Sequence, residues 1–107
     1  LTREKMLNSI KETMAKNPTK NDFRKAAMYY YEENIHIDKA VKWIDIAFDD
    51  SDDLKYWQLR YKALINEKAG KIKKAKKYAK KGYEIALKSK SPDAINTLKI
   101  LNDRLNN

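Results

Sequence analysis

Apolar residues recur along most of this chain every three or four positions, which is the period of one face of an α-helix. The first periodic segment runs from about Thr2, the expected N-cap, to Lys16, and its apolar positions are Met6, Leu7, Ile10 and Met14. Five similar segments follow, separated by residues that commonly begin or end helices. The pattern therefore predicts six helices joined by short turns.

The turns between the predicted helices carry recognisable signals. Asn17-Pro18 ends the first helix, because the residue before a proline avoids the helical region. The second helix is expected to start after Asn21 or Asp22. Gly70 ends the fourth helix in a left-handed conformation. Ser91 and Pro92 place the N-cap and first turn of the sixth helix.

Two of the predicted helices are similar in sequence. Residues 37–47 (IDKAVKWIDIA) align with residues 72–82 (IKKAKKYAKKG) at an offset of 35. In the helices before them, Ala27 aligns with Ala63 at an offset of 36, so the turn absorbs one residue. The repeated unit is a helical hairpin of about 35 residues, which is a length typical of solenoid repeats.

This spacing resembles tetratricopeptide repeats. The matching residues of the first unit are Phe23, Ala27, Tyr30, Ile37, Ala40 and Ala47. Those of the second are Leu59, Ala63, Gly70, Ile72, Ala75 and Gly82. The chain departs from the pattern at Asn34-Ile35, which replace a turn glycine, and at Lys62 and Asn66, which replace apolar residues.

The resemblance implies an all-α fold, a short right-handed α-solenoid of about six antiparallel helices. We expect one domain over residues 1–107, with a helix of a truncated repeat at 1–18, repeats at 21–49 and 53–88, and a capping helix at 91–106. The stretches 21–48 and 68–82 also resemble the C-terminal helical part of exported bacterial proteins of unknown function. That likeness implies a piece of a longer chain and a periplasmic or exported location.

The resemblance also points to binding residues on the first helix of each repeat. Arg24, Met28 and Tyr31 share a face in the first unit, and Trp57, Arg60 and Leu64 take the equivalent positions in the second. An arginine, an aromatic residue and an aliphatic residue are common in binding hot spots. Trp57 is also a candidate for the core, and some of the six could pack against the flanking helices.

The net charge of +9 is concentrated in one helix, because residues 68–90 hold ten lysines and one glutamate. Its apolar stripe consists of Ile72 and small residues at 75, 79, 82 and 86, which is too small for a membrane-surface helix. We interpret the opposite face as mainly solvated, with an acidic protein or nucleic acid as alternative partners. The basic positions are Lys73, Lys74, Lys77, Lys80 and Lys81.

The sequence offers little chemistry for catalysis or for metal binding. It has no cysteine, and the lone His36 lies in a turn without a second ligand. The DDSDD stretch at 49–53 lacks the glycine of a calcium loop and is better explained as helix caps.

We therefore expect that the chain is not an enzyme and that it binds no cofactor or metal. The expected function is the binding of a protein, a peptide or another domain of the parent chain. The alternatives are an anionic partner on the lysine helix and a purely structural appendage.

Overall fold

The computed structural model describes residues 2–49 and 53–107, and this part of the chain contains six α-helices and no strand. The helices are α1 (Arg3–Met14), α2 (Lys20–Glu33), α3 (Ile37–Ala47), α4 (Tyr56–Lys68), α5 (Ile72–Ser89) and α6 (Pro92–Asn106). The all-α prediction is confirmed. The chain divides into two compact units, Leu1–Phe48 and Asp49–Asn107. The single domain and the solenoid arrangement stay predictions.

The two helix starts of the first unit are set by threonine caps. Thr2 accepts a hydrogen bond from the Lys5 N–H, as predicted. Helix α2 begins at Lys20, earlier than expected, because Thr19 and Asp22 form a capping box. The Asp22 N–H donates to Thr19 Oγ1 (3.1 Å), and the Thr19 N–H donates to Asp22 Oδ2 (2.9 Å). Helix α1 ends at Met14 rather than at Lys16.

The core of the first unit lies between α2 and α3. Tyr30 is 1% exposed, and its ring packs at a tilt against Trp43, with the ring centroids 5.0 Å apart. Ala27, Ala40 and Ile44 are completely buried around it. Helix α1 contributes no fully buried residue. The first predicted hairpin, residues 21–49, therefore has its counterpart in α2 and α3, and α1 packs only sparsely against α2.

The turns inside the two hairpins have the same hydrogen bonds. The Ile35 N–H donates to the Tyr30 carbonyl, and the Lys71 N–H donates to the Asn66 carbonyl, which is the pattern of a Schellman motif. Asn34 (φ 55°) therefore takes the left-handed position that Gly70 (φ 79°) takes in the second unit. The extra residue of the first turn is His36, at φ 46°. This explains why the offset changes from 36 to 35.

Helix α4 begins at Tyr56 with Lys55 as its N-cap residue, so the expectation that a residue of the DDSDD stretch is its N-cap is wrong. The Lys55 N–H donates to Gln58 Oε1 at 2.8 Å. The physical reason is the burial of Leu54 directly before the cap and of Leu59 in the first turn, as in a hydrophobic staple. Residues 50–52 lie outside the described residues.

Small residues of α5 form the core of the second unit. Ala75, Ala79 and Ala86 are completely buried, and Gly82 is buried where α5 meets α4 and α6. A methyl group on Gly82 would lie 2.9 Å from Leu98 Cδ1 of α6 and 3.3 Å from Leu59 Cβ of α4. The predicted stripe is thus correct except at Ile72. That residue is 43% exposed, because it stands at the first position of α5.

Two polar residues of α4 are completely buried, namely Lys62 and Asn66. They are the two departures from the repeat pattern. The Lys62 ammonium lies 4.9 Å from the centroid of the Tyr78 ring of α5, in the arrangement of a cation–π contact. The Asn66 amide donates to the Lys62 carbonyl at 2.7 Å. At these two positions, where the repeat pattern has apolar residues, the chain therefore buries a lysine side chain and an amide.

Candidate functional site

A cleft of about 510 Å³ opens between α1 and α2 in the first unit. We call it cleft 1. Its volume is in the range of pockets that bind small molecules or peptide side chains. All three methionines of the chain lie in its wall: Met6 and Met14 from α1, and Met28 from α2. Methionine side chains adapt their shape to different apolar partners, so this wall suits a variable apolar ligand.

The charged residues of cleft 1 come mainly from α2. Arg24 and Lys25 lie towards its start, and Glu32 lies near its end. The Arg24 guanidinium donates from Nε and Nη2 to Asn21 Oδ1, at 3.1 and 2.6 Å. Asp22 also lines the cleft, but its carboxylate is engaged by the Thr19 N–H, which holds the pKa of Asp22 below its usual value. Arg24 is therefore oriented by a neutral amide.

Tyr29 adds a polar group to the wall of cleft 1. Its hydroxyl donates to Glu33 Oε1 at 3.4 Å. Burial, and after it the negative charge of Glu33, raises the pKa of the Tyr29 phenol. The phenol therefore stays neutral at physiological pH and adds no charge to the cleft.

A smaller cleft of about 210 Å³, which we call cleft 2, lies between α4 and α6 in the second unit. Arg60 and Leu64 of α4 form one side. Thr97, Ile100, Leu101 and Arg104 of α6 form the other. Ile100 is 60% exposed, which is unusual for a large aliphatic side chain. Arg104 is paired with Glu67 of α4.

The two clefts use equivalent positions of the repeat. Arg24 and Arg60 are 36 residues apart, and so are Met28 and Leu64. Four of the six proposed binding residues therefore line a cleft, one arginine and one apolar residue in each unit. Each cleft lies beside a flanking helix, α1 in the first unit and α6 in the second.

The other two proposed residues, Tyr31 and Trp57, line neither cleft. Tyr31 is half-buried, one helical turn from Met28. Trp57 is 40% exposed, so the idea that it belongs to the core is wrong. It stands edge-on to the ring of Tyr61, with centroids 6.2 Å apart.

The flanking helices supply the residues that the repeat pattern did not identify. Ile10 lies in cleft 1 with Met6 and Met14, and Ile100 lies in cleft 2 with Thr97. In the sequence, Ile10 could be recognised by its helical spacing with Met6 and Met14, which predicts an apolar face on α1. For Ile100 the sequence carried no such signal, because it lies outside the stripe of Ala94, Leu98, Leu101 and Leu105.

The lysine face of α5 is exposed as predicted. Of the five basic positions, Lys73, Lys74, Lys77 and Lys80 are exposed and Lys81 is half-buried. Tyr78 is 5% exposed and Tyr83 is half-buried, so neither ring is open for base stacking. The seven lysines between residues 71 and 81 form no ion pair with the acidic residues that the structure describes.

The described residues offer neither a metal site nor a membrane span. Within residues 2–49 and 53–107, no three of the His, Cys, Asp and Glu side chains form a group that could hold a metal ion. His36 instead packs against the Tyr30 ring, with centroids 5.2 Å apart. No helix in these ranges has both the length and the apolar character that a membrane span requires.

Comparison of the chain with protein-family models, with curated proteins and with solved structures gives no match. The two clefts and the charge of α5 are therefore the features of this chain that indicate a function.

Proposed function

We propose that this chain is a non-catalytic, tetratricopeptide-like module that binds segments of other proteins or of its parent chain. The observation that carries the proposal is the repeated pair. Arg24 with Met28, and Arg60 with Leu64, each line a cleft next to a flanking helix. An apolar wall with a few convergent polar groups is the usual composition of a binding site.

The methionines and Ile100 support binding rather than a purely structural role. A cleft that served only to pack two helices would close on its apolar residues, because buried apolar area stabilises the fold by about 25 cal/mol per Å². Here Met6, Met14 and Met28 stay half-buried, and Ile100 is mostly exposed. These side chains keep apolar area that a ligand can cover.

The proposal is tested by selecting short random peptides, displayed on phage, against the whole chain. Selected peptides are then measured by fluorescence anisotropy on the wild type and on two variants, Met28→Glu and Leu64→Glu. The matched control is Ile46→Glu, which places the same charge on an exposed apolar position of α3 outside both clefts. Loss of binding in a cleft variant but not in the control supports the proposal. Peptides that bind all four proteins equally contradict it.

The lysine face of α5 supports a second candidate, the binding of an anionic partner. Seven lysines within eleven positions form no ion pair with the described acidic residues, so their charge is available. Contacts of lysine with phosphate weaken steeply with salt, because binding releases counterions. A Lys73/Lys77/Lys80→Gln variant that keeps its affinity for single-stranded DNA, with an unchanged salt dependence, would exclude this face as the binding site.

A further inference from the structure

The chain has four arginines, of which two form an ion pair with a described glutamate and two do not. Arg3 pairs with Glu33, at 4.0 Å between Nε and Oε1, and Arg104 pairs with Glu67. Among the described residues, Arg24 forms side-chain hydrogen bonds only with the neutral amide of Asn21. Arg60 forms no hydrogen bond or ion pair with a described residue. The two arginines without a described carboxylate are therefore the two that occupy the equivalent cleft positions.

The surroundings of Arg24 and Arg60 favour a strong contact with a ligand carboxylate. Both side chains are half-buried, so a partner anion would be partly removed from water. A guanidinium stays charged in proteins and offers parallel N–H groups that match the two oxygens of a carboxylate. Such charge-assisted pairs are about twice as strong as hydrogen bonds between neutral groups. An exposed surface lysine lacks this geometry.

Each arginine also has an apolar side chain one helical turn away and in the same cleft. Met28 follows Arg24, and Leu64 follows Arg60, four residues later in each case. Side chains four residues apart lie on the same face of a helix. A ligand that places a carboxylate on the guanidinium therefore brings its neighbouring side chain onto the apolar wall.

We infer that each cleft selects a protein segment in which a Glu or Asp side chain accompanies a bulky apolar side chain. This inference rests on the proposed function and adds the chemical class of the ligand. Side-chain carboxylates are favoured over a chain terminus, because capture of a terminal carboxylate uses several convergent donors. Each cleft offers one guanidinium that has no carboxylate partner among the described residues.

The test uses two labelled synthetic peptides with the same leucine positions, spaced as on one face of a helix. One peptide has Glu at the remaining positions next to the leucines, and the other has Gln there. Fluorescence anisotropy gives the dissociation constant of each peptide for the whole chain. A charge-assisted contact predicts about tenfold tighter binding of the Glu peptide, which corresponds to about 1.4 kcal/mol.

Three variants assign the preference to a residue. Arg24→Gln and Arg60→Gln remove the charge from one cleft each, and together they should abolish the preference while the Gln peptide binds as before. Arg3→Gln is the matched control, since it removes the same charge from a helix position outside both clefts. A Lys73/Lys77/Lys80→Gln variant measures the general attraction of an acidic peptide to the net charge of +9.

The outcomes separate this inference from the proposed function. Equal affinity for both peptides overturns the inference and leaves peptide binding in place. A preference that disappears in the lysine variant, and not in the arginine variants, also overturns it and moves the contact to α5. If neither peptide binds, the inference fails. The phage selection, which does not favour acidic sequences, then decides the proposed function by itself.

Discussion

Gly82 is the position where a single added methyl group is expected to destabilise the second unit. In an exposed helix, Gly→Ala stabilises by about 1 kcal/mol, because alanine loses less conformational entropy on folding. At position 82 the new Cβ would lie 2.9 Å from Leu98 Cδ1, 3.3 Å from Leu59 Cβ and 3.5 Å from the Tyr56 carbonyl oxygen. The gain in helix propensity is therefore opposed by overpacking.

The neighbours of Gly82 decide which effect is larger. Leu98 ends in a flexible methyl group, but it is completely buried and has little space to rotate away. Leu59 Cβ is fixed to the backbone of α4, so relief there requires a shift of the whole helix. Overpacking of a tight core costs about 1–3 kcal/mol. Subtracting the propensity gain leaves a net loss of about 1 kcal/mol for Gly82→Ala.

The measurement is the free energy of unfolding from urea titrations followed by circular dichroism of the helices. A double-mutant cycle with Leu98→Ala tests the cause. Shortening Leu98 alone should cost about 2–5 kcal/mol. In that background Gly82→Ala should become neutral or stabilising, which gives a coupling of about 1–2 kcal/mol. The reasoning is refuted if Gly82→Ala stabilises the wild type, or if its effect is the same with and without the Leu98 side chain.

Three further predictions concern single positions. Lys90→Gly should raise the free energy of unfolding by about 1 kcal/mol, because Lys90 has a left-handed φ of 59° at the end of α5. Gly70→Ala, at φ 79°, should lower the free energy of unfolding by a similar amount. Urea titrations in which Lys90→Gly destabilises or Gly70→Ala stabilises would contradict this. The hydrogen bonds from Thr19 lower the pKa of Asp22, so Asp22 should stabilise the fold fully above the unfolded-state pKa of about 3.9. This contribution should be lost as the pH falls through the lower pKa of the folded state. Asp22→Asn should remove that part of the acid dependence of stability, and an NMR titration of the carboxyl group checks the direction of the pKa shift. Asn66→Leu should stabilise by about 1 kcal/mol, because Asn66 Oδ1 is buried without a hydrogen-bond partner among the described residues; a loss of stability would indicate that this oxygen is hydrated.

The helix boundaries show which structural information is local in the sequence. Thr2, Gly70 and Ser91-Pro92 were identified correctly, because a cap or a left-handed turn depends on residues within a few positions. The start of α4 was not, although the acidic stretch before it offers several good N-caps. The burial of Leu54 places the chain so that Lys55 takes that position. Packing thus overrides cap preference where the two differ.

The internal repeat made part of the candidate site predictable. Residues at the same phase of two similar hairpins occupy similar surroundings, so Arg24 with Met28 and Arg60 with Leu64 could be paired before the structure was known. Tyr31 and Trp57 line neither cleft, and they are not related by the offset of 36 that relates the other two pairs.

The sequence alone does not show which arginines form ion pairs. Nothing in the local pattern distinguishes Arg104, whose partner Glu67 lies 37 residues away, from Arg60. Arg3 likewise pairs with Glu33 on another helix. Spacing rules find ion pairs within one helix, such as Lys99 with Asp103, but not those between helices. The fold neutralises two arginines through long-range contacts and leaves the two at the repeat positions without a described carboxylate. For that reason the proposal of an acidic ligand depends on the folded chain. The composition alone counts 24 basic residues and does not show which of them lack a carboxylate partner.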